Sequence, residues 1–193
     1  MKIHNFHNRR FNGESHKLRS KERLALLEVN RVVEKCVEGI KVQNVLDIGT
    51  GTGVFAEAFS RLSLSITGID INEELLHLAR REVPDAKFIL APAEKLPFKE
   101  KMFDLVFLGL VLHETDDPTQ TLVEARRVAR FRTAILEWPY LIENQGPPLH
   151  HRLRPEKIER MAKEAGLTSI ERIKLSHMHL FRLHTHPSNG GWR

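Results

Sequence analysis

The chain has 193 residues, 41% of them hydrophobic and 28% charged, with a formal net charge of +5. That length suits one domain with a sizeable buried core, and the composition is that of an ordinary globular protein. No apolar run approaches a membrane span, Met1-Lys2-Ile3-His4-Asn5 lacks a signal-peptide core, and a lone cysteine, Cys36, excludes an internal disulfide framework. These features point to the cytoplasm. The basic residues are interleaved with glutamates, as in Arg80-Arg81-Glu82. Denser spots are Arg9-Arg10, Arg126-Arg127 with Arg130 and Arg132, and His150-His151-Arg152 with Arg154. Mixed charge of this kind suits a solvated surface, so nucleic acid is an open but disfavoured partner.

Residues 1–20 are polar and rich in His and Arg, with Phe6 and Phe11 as the large aromatics, and read as an arm or lid. Ser20 offers an N-cap, and Leu24, Leu27, Val32, Val33 and Cys36 predict one helical face up to Gly39. The run Val42 to Ile48 predicts a buried strand, followed by Gly49-Thr50-Gly51-Thr52-Gly53 and a helix from Val54. Ser65 to Asp70 is a second strand, and Asn72 caps a helix that stops at Pro84. Lys87 to Leu90 and Phe103 to Leu108 are the third and fourth strands, separated only by a turn over Glu94 to Lys101. Pro118 opens a helix through Ala129, and Thr133 to Glu137 is a fifth strand. A loop from Trp138 to Leu153 precedes a helix, Pro155 to Ala165, that ends at Gly166. Ser169 to Leu183 reads as two strands joined near Ser176-His177. The alternation predicts an α/β fold: a Rossmann-like, doubly wound, mostly parallel seven-stranded sheet with an antiparallel last strand. The domain spans residues 21–186, and 187–193 form a frayed tail.

Glycines at alternate positions between a strand and a helix let a ligand approach the backbone closely. The helix start adds unpaired N–H groups that favour an anionic group. Asp70 ends the second strand, where an acidic residue accepts hydrogen bonds from ribose hydroxyls; its plainer role would be to cap the next helix. No Gly-Lys-Ser/Thr follows the loop, which excludes a phosphate-cradling P-loop. The only tyrosine, Tyr140, has Asn144 four positions on, so the Tyr-x-x-x-Lys pair of a short-chain dehydrogenase is absent. The Gly-x-Gly-x-Gly spacing also argues against a dinucleotide.

At this point the chain resembles the class I S-adenosylmethionine-dependent methyltransferases. Val45 to Gly53 matches the first motif of that family and Ile66 to Asp70 the next. Ala93-Glu94-Lys95-Leu96-Pro97-Phe98 is similar to the third, and Phe103 to His113 with Asp117-Pro118 to the fourth. The nearest flavour is the branch that includes the quinone-biosynthesis methyltransferases. The resemblance implies an enzyme that binds S-adenosyl-L-methionine and releases S-adenosyl-L-homocysteine. It further implies that Gly49, Thr50, Gly51 and Gly53 line the methionine end of the cofactor and Asp70 holds its ribose. Ile71 would pack on adenine, Ala93 and Glu94 would meet the adenine edge, and the Leu108 carbonyl would accept from the cofactor's amino group. Asp47 would tie down the loop or reach that amino group through water. Two departures stand out: Pro92 where the family often has Asp, and Arg130-Phe131-Arg132-Thr133 where it has a Lys-Pro-Gly-Gly turn.

Methyl transfer needs alignment, exclusion of water and, for O–H or acidic C–H acceptors, removal of a proton. His113 and Glu137 are the candidate general bases, and Trp138, Tyr140 and His150 the candidate substrate contacts. His177 and His179 share one strand face while His184 and His186 share the other, so a single metal site is not expected. The reading is a methyltransferase acting on a small molecule. RNA or protein methylation, or a non-catalytic cofactor-binding regulator, are the alternatives.

Overall fold

A computed structural model describes residues 15–167 and 169–184 of the chain. Most of the predicted arm, with Phe6 and Phe11, lies outside the described residues, as do His186 and the predicted tail. Ser15–Arg19 forms a 3-10 turn that leads into α1 (Lys21–Leu27), whose first turn is capped by the Ser20 hydroxyl accepting from the Arg23 N–H. The single helix predicted up to Gly39 is in fact two, α1 and α2 (Val29–Val37), broken at Glu28 with φ of 47°. The Glu28 carboxylate accepts from Ser176 N at 2.7 Å and from Arg31 at 2.7 Å. A cross-chain hydrogen bond and an ion pair thus offset a backbone conformation that disfavours a side chain.

The alternating elements then follow: β1 (Asn44–Ile48), α3 (Val54–Ser60), β2 (Ser65–Asp70), α4 (Glu73–Glu82), β3 (Lys87–Leu90) and β4 (Phe103–Gly109). After them come α5 (Pro118–Val128), β5 (Ala129–Glu137), α6 (Pro155–Glu164), β6 (Ser169–Lys174) and β7 (His179–His184). Asn72 caps α4 and Asp117 caps α5, each by accepting from backbone N–H groups in the first turn. The seven strands lie in the order β3-β2-β1-β4-β5-β7-β6; β7 runs antiparallel to both its neighbours. Order, hand of pairing and the antiparallel ending match the doubly wound fold expected from the sequence.

Period-two alternation sorts β1 and β4 between two cores. Val45, Leu105 and Phe107 pack with α2, α3 and α4; Leu46, Ile48, Val106 and Leu108 pack with α5 and α6. Asp47 occupies a buried position among the first set. Phe107 is held between Phe55 and Phe59, with ring centroids 4.8 and 5.4 Å away. Such a ring contributes about 3–5 kcal/mol when compared with alanine.

Arg130 to Thr133, which stand where the resemblance has a Lys-Pro-Gly-Gly turn, are part of a strand that starts at Ala129 and not at Thr133. Helix α5 runs directly into β5, and the register shifts between Phe103↔Ala129 and Leu105↔Arg132, leaving one extra residue in β5. Arg130 pairs with Asp104 at 2.6 Å, and buried Arg132 donates to the carbonyls of Cys36 and Glu38. These arginines fasten the strand start, which removes the need for a glycine turn.

Candidate functional site

The glycine loop leaves β1 and turns against the exit of β4. Gly49 has φ of +66°, and a Cβ there would lie 2.3 Å from Val111 Cγ2, so only glycine fits. At Gly51 the nearest atom to such a Cβ is Leu18 Cδ1 at 3.8 Å, an ordinary contact, so the loop is less crowded there than at Gly49. Thr50 N donates to Ile69 O at 2.9 Å, and its hydroxyl donates to Asp47 Oδ2 at 2.7 Å. Asp70 accepts from Gly51 N at 2.8 Å with one oxygen and from Asn72 N at 2.9 Å with the other. One carboxylate therefore ties the loop to the start of α4. Thr52 Oγ1 is buried and has no hydrogen-bond partner among the described residues.

A cavity of about 590 Å³ opens along the carboxyl ends of β1 to β4, where open α/β sheets bind ligands. Asp47, Gly49, Thr50, Gly51, Asp70, Ile71, Ala93 and Glu94 all line it. Two predicted cofactor residues do not. Gly53 faces α4, where a Cβ would meet Ala79 Cβ at 3.2 Å. Leu108 is buried within the sheet between Ile48 and Ile135, and Gly109 and Leu110 reach the cavity in its stead. Burial, and then the charge of Asp70, push the Asp47 carboxyl up to about 7, against the Thr50 hydrogen bond. Burial also raises Asp70, opposed by the amides of Asn72 and Gly51. Glu94 braces the far wall by accepting from Asp116 N at 2.9 Å.

The two candidate bases are a buried pair beneath this cavity and do not line it. His113 Nδ1 sits 2.8 Å from Glu137 Oε2, and Glu137 also accepts from the His113 and Trp138 amides. Burial acts to lower His113, but the charge and hydrogen bond of Glu137, with Glu114 adding, outweigh it and hold the imidazole above its ordinary range. Their neighbour Glu114, 3.7 Å from His113 Nε2, does line the cavity. The three substrate candidates also lie elsewhere. Trp138 is 3% exposed and packs as a core residue beneath the loop it starts. Tyr140 stacks near Arg154, 4.2 Å from ring centroid to guanidinium, at a second cavity of about 410 Å³. His150 is exposed, edge-on to His151. His177 lies in the β6–β7 turn, and no group of three or more His, Cys, Asp or Glu close enough for a metal occurs among the described residues.

Sequence reasoning missed Leu18, Arg23, Leu27, Phe55 and Glu114 as cavity residues. Glu114 was within reach as the neighbour of His113. Nothing in the local sequence singles out Arg23.

Residues 46–133 match the family model described as a methyltransferase domain. The match spans just under half of the chain; with the sheet order and the cavity above, it likens the chain to the class I S-adenosylmethionine-dependent methyltransferases. It is 36% identical over 111 residues to the demethylmenaquinone methyltransferase of Thermotoga maritima, covering 55% of this chain and 48% of that protein. It is 38% identical over 96 residues to the ubiquinone/menaquinone biosynthesis C-methyltransferase of Hahella chejuensis, covering 45% of this chain and 39% of that one. The chain thus spans about half the length, or less, of these curated relatives. Among solved structures, an S-adenosylmethionine-dependent methyltransferase from Aquifex aeolicus shares the fold with a TM-score of 0.78 at 24% identity, over 89% of this chain and 97% of that one.

Proposed function

We propose that this chain transfers a methyl group from S-adenosylmethionine to a small-molecule acceptor. The observation that carries the reading is the Asp70 carboxylate bridging Gly51 N and Asn72 N at the floor of the cavity. The cavity lies within the roughly 300–1,000 Å³ typical of small-molecule sites. The residues present fit the cofactor: the buried Thr52 hydroxyl has no partner among the described residues, and a Cβ at Gly51 would meet only Leu18, at 3.8 Å. The glycine loop and Asp47 would hold the methionine end, Asp70 the ribose hydroxyls, and Ile71 with Ala93 the base. When bound, S-adenosylmethionine supplies an electrophilic methyl group on a sulfonium centre. The chain's own part is to align the acceptor and exclude water, with Leu18, Leu27 and Leu110 forming an apolar wall. Glu114 is the carboxylate positioned to take a proton from an O–H acceptor, and the buried His113–Glu137 pair orients it.

The small-molecule acceptor draws support from the cavity size and from the quinone-methylating relatives. No helix among the described residues is long and apolar enough to cross a membrane. Calorimetry with S-adenosylmethionine and S-adenosylhomocysteine tests the first half, with saturable binding expected. Absence of heat at millimolar ligand overturns the reading. A labelled-methyl screen over metabolites and RNA then tests the acceptor class; label entering only RNA would replace the small molecule.

A further inference from the structure

The sheet order sets the direction of the cavity. Asp70, Ala91 and Ala93 follow β2 and β3 at one end; Glu114 follows β4 at the other, and β5 with Trp138 lies beyond the lining on that side. If the cofactor takes the glycine loop and the β2–β3 end, as proposed above, the β4–β5 end is left for the acceptor. Arg23 from α1 lines the cavity, and its Cζ lies 5.8 Å from the Trp138 ring centroid. Three arginines surround this region, and they differ in how their charge is used. Arg152 donates to the carbonyls of Pro139, Gln145 and Pro147 and to the Glu143 carboxylate. Arg19 donates to Thr52 O and pairs with Glu57 at 2.7 Å. The Arg23 guanidinium, by contrast, donates no hydrogen bond to any described residue; only its backbone N–H is engaged, with Ser20.

A half-buried guanidinium that donates to no described residue is costly unless something accepts from it. Burial pushes Arg23 down from its ordinary value, and the charge of Glu114 opposes that. The cavity lining also includes the apolar side chains of Leu27, Leu110 and Val111. We infer that Arg23 anchors an oxyanion of the methyl acceptor, so that the substrate is a small acid with an apolar body. The planar fork of arginine suits a carboxylate bidentately, and the Trp138 ring, 5.8 Å away, gives it an aromatic neighbour.

The test measures binding of benzoate, phenylacetate and octanoate, each against its primary amide, with and without saturating S-adenosylhomocysteine. At least one acid is expected to bind about tenfold more tightly than its amide, the scale of a charged hydrogen bond. Arg23→Gln should erase that preference and Arg23→Lys keep part of it, with S-adenosylhomocysteine affinity unchanged in both. If every acid binds no better than its amide in the unaltered protein, the inference falls. It also falls if Arg23→Gln weakens S-adenosylhomocysteine instead, which assigns Arg23 to the cofactor's own carboxylate. Failure of the unaltered protein to bind S-adenosylhomocysteine removes the methyl-transfer reading separately, and the acid–amide comparison without it still decides Arg23.

Discussion

The two ends of the cavity are built by different means. At the β1–β3 end, each contributing segment directly follows a strand, and much of the surface is backbone: Gly49 to Gly51, the Asp70 carboxylate clamped by two amides, and Ala91 to Ala93. At the β4–β5 end the surface is made of side chains from distant parts of the chain. Arg23 and Leu27 come from α1, Leu18 from the preceding turn, and Glu114 from beyond β4, braced from below by His113 and Glu137. The first end is the one proposed above for the cofactor. The second is free to differ, because side chains can be exchanged without disturbing a strand exit.

Substitutions can break this contrast at graded cost. Removing the brace has the largest expected effect. Glu137→Gln leaves a buried imidazole without its carboxylate and should destabilise the fold by about 3–5 kcal/mol, measured by denaturant titration. The pH dependence has a definite sign. Because His113 is held above its ordinary value in the folded state, its stabilisation is complete below the unfolded pKa and is lost as pH rises through the folded one. The variant should lack that loss, and an unchanged pH profile would show that the pair is not charged.

Gly49 stands where the two ends meet, pressed against Val111. Gly49→Ala combines a left-handed backbone with an overpacked contact and should cost about 2–4 kcal/mol. Affinity for S-adenosylhomocysteine should fall with it; a variant that keeps both would show that loop and β4 exit move apart freely. Asp70→Ala acts on the first end alone. It should weaken S-adenosylhomocysteine by about 1.5–3 kcal/mol in calorimetry, the scale of charged hydrogen bonds, and leave the acid–amide preference at Arg23 intact.

The smallest expected effect concerns Asp47, raised from 3.8 to about 7. An acid raised in the folded state takes stability away as pH climbs from its unfolded value through the folded one. A cofactor ammonium needs the ionised form, so affinity for S-adenosylmethionine should rise by about tenfold between pH 6 and 8. Asp47→Asn should flatten that rise, as read by calorimetry across the range.

Much of the fold was legible in the sequence because its signals are local. Alternating apolar strands, Asn72 and Asp117 as caps, and the glycine loop after β1 each report on a few neighbouring residues. The errors arose where distant contacts overrode local preference. A bond from Ser176 to Glu28 accompanies the break of one helix into two, and Asp104, Cys36 and Glu38 hold Arg130 and Arg132 in a strand that starts four residues before the expected Thr133. The candidate bases failed for a related reason. His113 follows β4 at the right rim, but period and spacing do not tell whether a side chain points into a cavity or into the buried carboxylate beneath it.

The sequence by itself determined the strand–helix order, the loop that leaves room for a ligand, and the acidic residue that closes on it. These depend on backbone conformation, which neighbouring residue types dictate. Only the tertiary structure decided that Glu114 reaches the cavity while His113 lies under it, that Trp138 is a core residue, and that Arg23 arrives at the cavity with no described residue accepting from its guanidinium. Those outcomes depend on how α1, β4 and β5 pack against one another. That packing is a balance of burial and hydrogen bonding over residues far apart in the chain, and no local pattern encodes it.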